Sequence, residues 1–364
     1  MTSPIARLND YGQSPWYDNL TRRLVGDGEL ARMIAEDGIR GVTSNPTIFQ
    51  KAMAGGEGYD AQLSQLKADG EAIDSIYWDL VLHDIQGAAD LLRPVFDEQQ
   101  GGDGFVSVEV APDRAFDTAA TIKQAQWLHD RAARPNVLVK IPATAEGIPA
   151  VEESIAAGIS VNITLIFSLQ RHREVIDAYV RGLERLADAG GDLSTIASVA
   201  SFFVSRVDTE ADKRLPDGHP LRGKLAVANA KLAYRLFREH FAGERWEALA
   251  SKGARLQRPL WASTSTKNPD YSDTLYVDDL VGRDTVNTLA QPSVDALRDH
   301  GDPKPDTIEQ GLDEAEQVIA DLAAAGVDYD DVTATIEKEG VASFAQSYVD
   351  CLNGLEQRAS ELAA

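Results

Sequence analysis

Cysteine is almost absent from this chain of 364 residues, which contains a single one, Cys351. One cysteine excludes an internal disulfide framework and any metal cluster that is built on several cysteines. No apolar run reaches the roughly 18 residues of a membrane span, so we expect no membrane partner. The amino terminus lacks a basic region followed by an apolar stretch, and no signal peptide is evident. These absences together predict a cytoplasmic protein.

Positive charge is also scarce, with 35 Lys and Arg against 58 Asp and Glu and a net charge of −23. Nucleic-acid binding needs clustered cations to neutralise phosphates, so we expect no nucleic-acid partner. A small phosphorylated ligand stays compatible with this charge if a few cations form a local site. The six histidines are scattered without the spacing of metal ligands, and no metal site is predicted.

Eight short, mostly apolar segments alternate with helical patterns or loops. They lie at residues 14–19, 40–49, 105–110, 136–144, 159–167, 195–206, 259–263 and 284–289. Alternating β and α segments predict a parallel sheet, and eight units predict a (β/α)8 TIM barrel. The competing fold, a doubly wound sheet, usually carries Gly-x-Gly-x-x-Gly after its first strand. This chain has no such motif, so the barrel is the preferred prediction.

We expect residues 1–364 to form a single barrel domain with two additions. A helix-rich insert is predicted near 208–257, and a C-terminal helical extension near 306–364. The insert and the extension have two candidate locations, a dimer interface or the amino-terminal end of the barrel, and the sequence does not choose between them. Within the extension, Asp328-Tyr-Asp-Asp331 is typical of a helix start, because it lacks the glycine and distal glutamate of a calcium loop.

Lys140 lies in the fourth segment, Asn136-Val-Leu-Val-Lys-Ile-Pro-Ala-Thr144. This segment is apolar on both faces and is predicted to be a fully buried parallel strand. Burial disfavours the charged form of a lysine, and a free amine is the nucleophile that Schiff-base chemistry requires. The alternative is a structural lysine that extends to the strand end and pairs with a carboxylate.

Other polar side chains also lie at or near the carboxyl ends of the predicted strands. In a barrel, the carboxyl ends of the strands meet at one face, where active sites are found. Eight polar residues fall at or near such ends, namely Asp18, Asn45, Glu109, Lys140, Asn162, Thr164, Ser201 and Arg206. We expect them to converge on one site.

Four of these segments, in this order, resemble the motifs of the transaldolase family, in its longer bacterial branch. They are Thr43-Ser-Asn-Pro46, Val137-Leu-Val-Lys-Ile-Pro142, Asn162-Ile-Thr-Leu-Ile-Phe167 and Ser201-Phe-Phe-Val-Ser-Arg206. The likeness runs from about Asp18 to Ser263. It implies a (β/α)8 barrel of the class I aldolase type with the Schiff-base lysine on strand four, where the count of segments also puts Lys140.

The resemblance implies transfer of a dihydroxyacetone unit in the non-oxidative pentose phosphate pathway. Sedoheptulose 7-phosphate and glyceraldehyde 3-phosphate would give erythrose 4-phosphate and fructose 6-phosphate. No cofactor or metal is implied, since the protonated imine serves as the electron sink. The implied partners are sugar phosphates, and a homodimer is left open.

Four catalytic roles follow from the resemblance. Lys140 would attack the ketose carbonyl, Glu109 would relay protons through a water molecule, and Thr164 would hold that water. Asp18 would take the proton from the substrate hydroxyl as the carbon–carbon bond breaks. Structural alternatives are an ion pair between Glu109 and Lys140, an ordinary strand threonine at 164 and a turn aspartate at 18.

A second group would bind the dihydroxyacetone part of the substrate through its hydroxyls. Asn45, Asn162 and Ser201 are the candidates, and Thr43 and Phe203 complete this part of the predicted set. Asn45 precedes a proline and has an alternative role as a helix cap.

The phosphate would be bound by Arg206, whose planar fork of donors suits this group. Its alternative is a salt bridge to Asp208 or to another nearby acid. Ser263 and Lys267 are further phosphate candidates, because barrel phosphate sites often use the loops after strands seven and eight. Residues 262–268 form a segment about two residues longer than in shorter family members, which leaves the assignment of Lys267 open.

Two other functions compete with transfer. A Schiff-base aldolase would use the same lysine but release free dihydroxyacetone. A barrel without catalysis would bind sugar phosphates as a sensor or scaffold.

Overall fold

The computed structural model describes residues 3–56 and 58–363 and has a closed barrel of eight parallel strands at its centre. Each strand pairs with the next in sequence, and β8 pairs with β1. The strands are β1 (Gln13–Tyr17), β2 (Gly41–Val42), β3 (Phe105–Glu109), β4 (Val137–Pro142), β5 (Val161–Ile166), β6 (Ser198–Phe203), β7 (Gln257–Ala262) and β8 (Thr285–Leu289). The predicted (β/α)8 barrel is confirmed, and Lys140 lies on the fourth strand.

Helices follow the strands and cover the outside of the barrel. They are α1 (Pro4–Asp10), α2 (Arg22–Gly26), α3 (Glu29–Asp37), α4 (Pro46–Ala54), α5 (Asp60–Ala68), α6 (Ile73–Glu98), α7 (Thr118–Ala132), α8 (Gly147–Ala156), α9 (Leu169–Asp188), α10 (Ser205–Lys213), α11 (Leu225–His240), α12 (Glu244–Ala250), α13 (Leu275–Asp278), α14 (Gln291–His300), α15 (Leu312–Ala324) and α16 (Tyr329–Leu362). Three single 3-10 turns lie at Pro112–Arg114, Leu193–Thr195 and Thr307–Glu309. Within the described residues no helix is long and apolar enough to cross a membrane.

The register between strands brings the predicted site residues side by side. Glu109 on β3 lies opposite Lys140 on β4, and Lys140 lies opposite Asn162 on β5. Residues that lie opposite each other on neighbouring parallel strands point to the same face of the sheet. These three side chains therefore share the barrel interior. The pairing of β5 with β6 shifts between Ile163 and Ile166, where Leu165 has a positive φ of 59°.

The C-terminal helix α16 does not lie beneath the barrel. It packs on α4, α5, α6, α10, β5 and the turn after β3, and several of these elements begin where a strand ends. The helix therefore crosses the carboxyl-end face of the barrel. Its start agrees with the sequence, because the Asp328 carboxylate caps it by accepting hydrogen bonds from the Asp330 and Asp331 amides at 2.9 and 3.2 Å.

Helices α10 to α12 occupy the connection between β6 and β7, within the segment predicted as an insert. Helix α11 packs against β7 and α9 on one side and against α15 on the other. This connection therefore supplies a helix to the outer layer of the barrel, and α15 adds a further layer outside it.

Candidate active site

A cavity of ≈ 110 Å³ opens at the carboxyl ends of the strands. Ten of the twelve predicted site residues line it, namely Asp18, Thr43, Asn45, Lys140, Thr164, Ser201, Phe203, Arg206, Ser263 and Lys267. The other two, Glu109 and Asn162, lie behind the lining and contact Lys140 and Ser201. Residues from six strands and their following loops thus meet at one point, as the barrel topology requires.

Lys140 and Glu109 form a buried ion pair below the cavity. The Lys140 ammonium donates to Glu109 Oε2 at 2.9 Å and to the backbone oxygen of Ser44 at 3.1 Å. Both side chains are buried, with relative exposures of 5% for Lys140 and 7% for Glu109. Burial raises the pKa of the Glu109 carboxyl, and the neighbouring lysine charge only partly opposes this. Glu109 is therefore a carboxyl of raised proton affinity placed directly beside the Lys140 nitrogen.

Asp18 lies across the cavity, directly after β1. Its backbone amide continues the barrel ladder by donating to the Leu289 oxygen at 2.9 Å. Its carboxylate accepts a hydrogen bond from the Thr43 hydroxyl at 2.7 Å. Burial raises the pKa of Asp18, while the Thr43 bond and the charges of Lys140 and Arg206 act against that rise. A second acid–base group thus lines the same cavity in surroundings different from those of Glu109.

Thr164 has a hydroxyl with no fixed partner. Its Oγ1 is buried, lines the cavity and makes no hydrogen bond to any residue of the described ranges. An unpartnered buried hydroxyl costs free energy, so natural proteins seldom retain one without a ligand or water to bond it. The neighbouring Leu165, with its left-handed backbone, ends the regular pairing of β5 at this point. Thr164 is therefore available to a bound molecule.

The polar chain behind Ser201 is fully bonded within the protein. The Ser201 hydroxyl donates to Asn162 Oδ1 at 2.7 Å, and Asn162 Nδ2 donates to the Ser107 hydroxyl at 2.9 Å. Asn162 and Ser107 are completely buried. These bonds fix which amide atom of Asn162 faces each neighbour, and they hold the Ser201 hydroxyl in place at the cavity wall.

The Asn45 side chain caps a helix and also faces the cavity. Its Oδ1 accepts a hydrogen bond from the Ile48 amide at 3.0 Å and so caps the start of α4. The same side chain lines the cavity. Because the cap uses only the carbonyl oxygen, the Nδ2 donor is left for a ligand.

One side of the cavity carries two cations. Arg206 and Lys267 both line it, and among residues 3–56 and 58–363 neither makes an ion pair within 4 Å. Burial lowers the pKa of both groups, and for Lys267 the Arg206 charge adds to this. Unpaired neighbouring cations in a chain of net charge −23 are the local arrangement that an anion requires.

The salt bridge of Arg206 to Asp208 is absent from the described structure. Asp208 instead accepts hydrogen bonds from the Ala226 amide and the Tyr276 hydroxyl, each at 2.7 Å. Arg206 packs over the Phe203 ring, with Cζ 5.3 Å from the ring centroid. Ser263 has a positive φ of 56°, and its hydroxyl is 2.9 Å from that of Ser205.

Several lining residues were not predicted. Phe344 comes from α16, and the others follow β7 or belong to the end of β8, namely Thr264, Ser265, Thr288 and Ala290. A polar residue at the end of a strand was the signal for the predicted set, and it could have identified Thr288. No comparable signal exists for Phe344, since an apolar residue of an amphipathic helix is expected to pack in a core.

The arrangement offers an amine, two carboxyl groups and a free hydroxyl around one small cavity, with an anion site beside them. This is the set required for imine chemistry on a phosphorylated carbonyl compound. Within the described part of the chain, no three His, Cys, Asp or Glu side chains are grouped so that they could hold a metal ion.

Comparisons with known proteins agree with this chemistry. The family profile described as transaldolase/fructose-6-phosphate aldolase matches residues 15–355. A protein of Streptomyces avermitilis called transaldolase 1 is 51% identical over 359 residues, which cover 96% of this chain and 94% of that protein. A transaldolase of Thermobifida fusca is 49% identical, with 98% and 99% covered. One of Acidothermus cellulolyticus is 51% identical, with 96% and 95% covered. The chain therefore belongs to the transaldolase/fructose-6-phosphate aldolase family.

Proposed function

We propose that the protein is a transaldolase that moves a dihydroxyacetone unit between sugar phosphates through an imine on Lys140. The donor would be sedoheptulose 7-phosphate and the acceptor glyceraldehyde 3-phosphate, giving erythrose 4-phosphate and fructose 6-phosphate. The observation that carries this proposal is the buried pair of Lys140 and Glu109, 2.9 Å apart, in a cavity at the carboxyl ends of the strands. The names of the relatives support it.

The first step is formation of the imine. Glu109 takes a proton from Lys140, and the free amine adds to the ketose carbonyl to form a carbinolamine. Glu109 then returns a proton to the carbinolamine oxygen, through a water held by Thr164, and water leaves. The raised pKa of Glu109 supports this role, because a carboxyl that binds its proton more tightly is a better proton acceptor than an exposed carboxylate.

The second step is cleavage of the carbon–carbon bond. Asp18 accepts the proton of the hydroxyl on the carbon next to the breaking bond, and that carbon leaves as an aldehyde. The electron pair of the broken bond moves into the iminium and gives an enamine of three carbons. When an acceptor aldehyde binds, the enamine carbon attacks its carbonyl, and Asp18 returns its proton to the new alkoxide. Hydrolysis of the imine then frees the product ketose and Lys140.

The remaining lining residues bind and orient the substrate in this proposal. Ser201, Asn45, Thr43 and Asn162 form or support the surface that faces the hydroxyls of the three-carbon unit. Phe203 forms the apolar wall beside them. The phosphate is bound by Arg206, Lys267 and Ser263, and this part is supported by the location of the two cations at the cavity wall, where neither makes an ion pair with a described residue.

Borohydride trapping tests the proposal directly. The protein is incubated with fructose 6-phosphate, reduced and digested, and the modified peptide is identified by mass spectrometry. We expect a three-carbon adduct on Lys140, which would record the imine and the cleavage together. A ligand-bound protein with no adduct on any lysine would instead favour a barrel that binds sugar phosphates without catalysis.

The alternative is a Schiff-base aldolase that releases free dihydroxyacetone, and the description of the family includes an aldolase. Measuring free dihydroxyacetone from fructose 6-phosphate without any acceptor separates the two. We expect release to be slow compared with transfer when an acceptor is present. The homodimer, the cytoplasmic location and the single-domain boundaries stay predictions.

A further inference from the structure

Phe344 is the one cavity-lining side chain of the described residues that α16 supplies. Its ring centroid lies 5.8 Å from Lys140 Nζ and 5.9 Å from Arg206 Cζ, and its relative exposure is 4%. An aromatic face at this distance attracts a cation. The ring therefore faces both the nucleophile and the predicted phosphate-binding group from the solvent side of the barrel.

The position of this ring is well fixed. A Cβ atom at Gly340, one turn before Phe344, would lie 3.2 Å from Leu165 Cδ2 and 3.4 Å from Arg206 Nη1. The glycine thus lets the helix backbone lie close to the barrel mouth. Next to the ring, the hydroxyls of Ser347 and Thr47 are 2.8 Å apart and join α16 to α4.

Ion pairs hold the helix near both of its ends. Arg214 pairs with Asp331 at 2.6 Å near the start, and Arg358 pairs with Asp60 at 2.6 Å near the end. Although exposed pairs are individually weak, together they restrict sliding of the helix. Phe344 is therefore held over the cavity by contacts on both sides.

We propose that Phe344 determines the fate of the three-carbon unit on Lys140, by keeping water from the reactive carbon until an acceptor aldehyde binds. This inference rests on the proposed function. The cavity is small and its other walls are mostly polar, so an apolar ring on the solvent side is the group that would keep water out. Exclusion of water from a reactive intermediate prevents side reactions.

Two routes compete for the enamine. In transfer, its carbon forms a bond with the acceptor carbonyl carbon, and the acceptor oxygen takes a proton from Asp18. In release, the carbon takes a proton from water, and the resulting iminium adds the hydroxide that remains to form a carbinolamine. The C–N bond of the carbinolamine then breaks as its hydroxyl proton passes to the nitrogen, which gives free dihydroxyacetone and the Lys140 amine. Release thus needs a water at the enamine carbon before an acceptor arrives, and removal of the ring would admit one.

The test compares Phe344→Leu and Phe344→Ala with Val349→Ala, a matched control on the same helix whose side chain is 48% exposed. Each protein is given fructose 6-phosphate with and without erythrose 4-phosphate as the acceptor, and free dihydroxyacetone and sedoheptulose 7-phosphate are both quantified. Borohydride trapping on Lys140 shows whether the imine still forms.

For Phe344→Ala we expect the ratio of release to transfer to rise about tenfold, equivalent to about 1.4 kcal/mol between the two barriers. The leucine variant should show a smaller rise, and the Val349 variant none. If Phe344→Ala does not fold, the leucine variant decides.

An unchanged ratio in the Phe344 variants, with Lys140 still trapped, would overturn this inference and leave the proposed function standing. An equal fall in both rates would also overturn it, because the ring would then act only in binding or folding. Failure of the wild-type protein to transfer or to be trapped would instead remove the proposed function and this inference together.

Discussion

The two ends of the barrel each contain an ion pair with a buried carboxylate, but the surroundings of the two pairs differ. At the amino-terminal end, the Asp103 carboxylate accepts hydrogen bonds from the Ser14 hydroxyl, the Trp16 indole at 2.9 Å and the Gly104 amide at 3.2 Å. Arg258 pairs with the same carboxylate at 3.4 Å. Both oxygens of this carboxylate are therefore bonded, as expected of a pair that serves the fold.

At the carboxyl end, the Lys140–Glu109 pair borders a cavity lined by one hydroxyl and two cations that have no hydrogen-bond or ion-pair partner, respectively, among residues 3–56 and 58–363. Burial of charge thus occurs at both ends and does not by itself identify a site. The distinguishing feature is the cavity, around which the Lys140 amine, two carboxyl groups and two cations converge. Incomplete bonding alone does not distinguish the ends, because buried side-chain oxygens of Gln13, Asn136 and Gln257 at the amino-terminal end also have no partner among the described residues.

The largest effect is expected from the nucleophile. Lys140→Met should lower the rate of transfer by about 10⁴-fold or more, since removal of a covalent nucleophile leaves only binding and electrostatic effects. A coupled assay with sedoheptulose 7-phosphate and glyceraldehyde 3-phosphate measures this, and circular dichroism checks the fold. Lys252→Met, at an exposed position, is the matched control and should keep full activity. Substantial transfer by folded Lys140→Met would contradict the proposed mechanism.

At the amino-terminal end of the barrel, we expect a substitution to lower stability and to leave activity unchanged. Asp103→Ala leaves Arg258 and the Trp16 N–H buried without their acceptor, so the free energy of unfolding should fall by about 3–5 kcal/mol. The kcat/KM of the folded fraction should not change. Urea denaturation and the transfer assay measure the two quantities. Asp90→Ala, which breaks the exposed pair with Arg134, should cost no more than about 1 kcal/mol. A loss of kcat/KM in folded Asp103→Ala would show that the pair at the amino-terminal end also serves activity, and would contradict the comparison between a structural pair and a functional pair.

A pH effect is expected from Asp208, near the carboxyl end. Burial raises the pKa of this carboxyl to about 6. Since the pKa is raised on folding, its contribution to stability is present below about pH 4 and is lost as the pH rises through about 6. The stability of Asp208→Asn relative to wild type should therefore increase by about 3 kcal/mol between pH 4 and pH 7. Urea denaturation at several pH values checks this, and a constant difference would show that the carboxyl does not titrate in this range.

The smallest effect is expected at Thr164, whose hydroxyl can be compared with the hydrogen-bonded hydroxyl of Thr121. Thr164→Val should slow transfer by about 10- to 100-fold, as expected for the loss of one or two hydrogen bonds to the reacting groups. Stability should be unchanged or slightly higher, because the buried hydroxyl has no protein partner. Thr121→Val removes a buried hydroxyl that donates to the Arg114 oxygen at 2.8 Å. It should lower stability by about 1 kcal/mol and leave the rate unchanged. If Thr164→Val and Thr121→Val change the transfer rate and the stability by similar amounts, the absence of a protein partner at Thr164 does not indicate a role in the reaction.

Much of the fold could be predicted from local sequence. All eight strands lie within or overlap the predicted segments, since buried parallel strands are short apolar runs between loops. Helices at 118–132, 147–156 and 169–188 lie between these segments, as the predicted alternation of β and α segments requires. These features depend on neighbours in sequence, which is why periodicity reveals them.

The site was predictable where the barrel topology determines position. Lys140, Glu109 and Thr164 meet because their strands are neighbours and their residues share a face. Ser107 was not predicted, because a serine in a strand has nothing local to show that it bonds Asn162. Phe344 was missed because its place depends on how α16 packs, which is decided by contacts between residues hundreds of positions apart. Local sequence also could not show whether Arg206 pairs with Asp208. In the structure, Asp208 accepts hydrogen bonds from residues of α11 and α13 instead.

The path of α16 also bears on how the protein matures during synthesis. All eight strands leave the ribosome before this helix does, and chains generally fold from the amino terminus as they emerge. The barrel can therefore close, with Lys140 and Glu109 already paired, while its mouth is still uncovered. The nascent chain would then hold a complete set of acid–base groups before it has the ring of Phe344. In this order of events, the chain has the groups that form the imine before it has the ring that would keep water away from it.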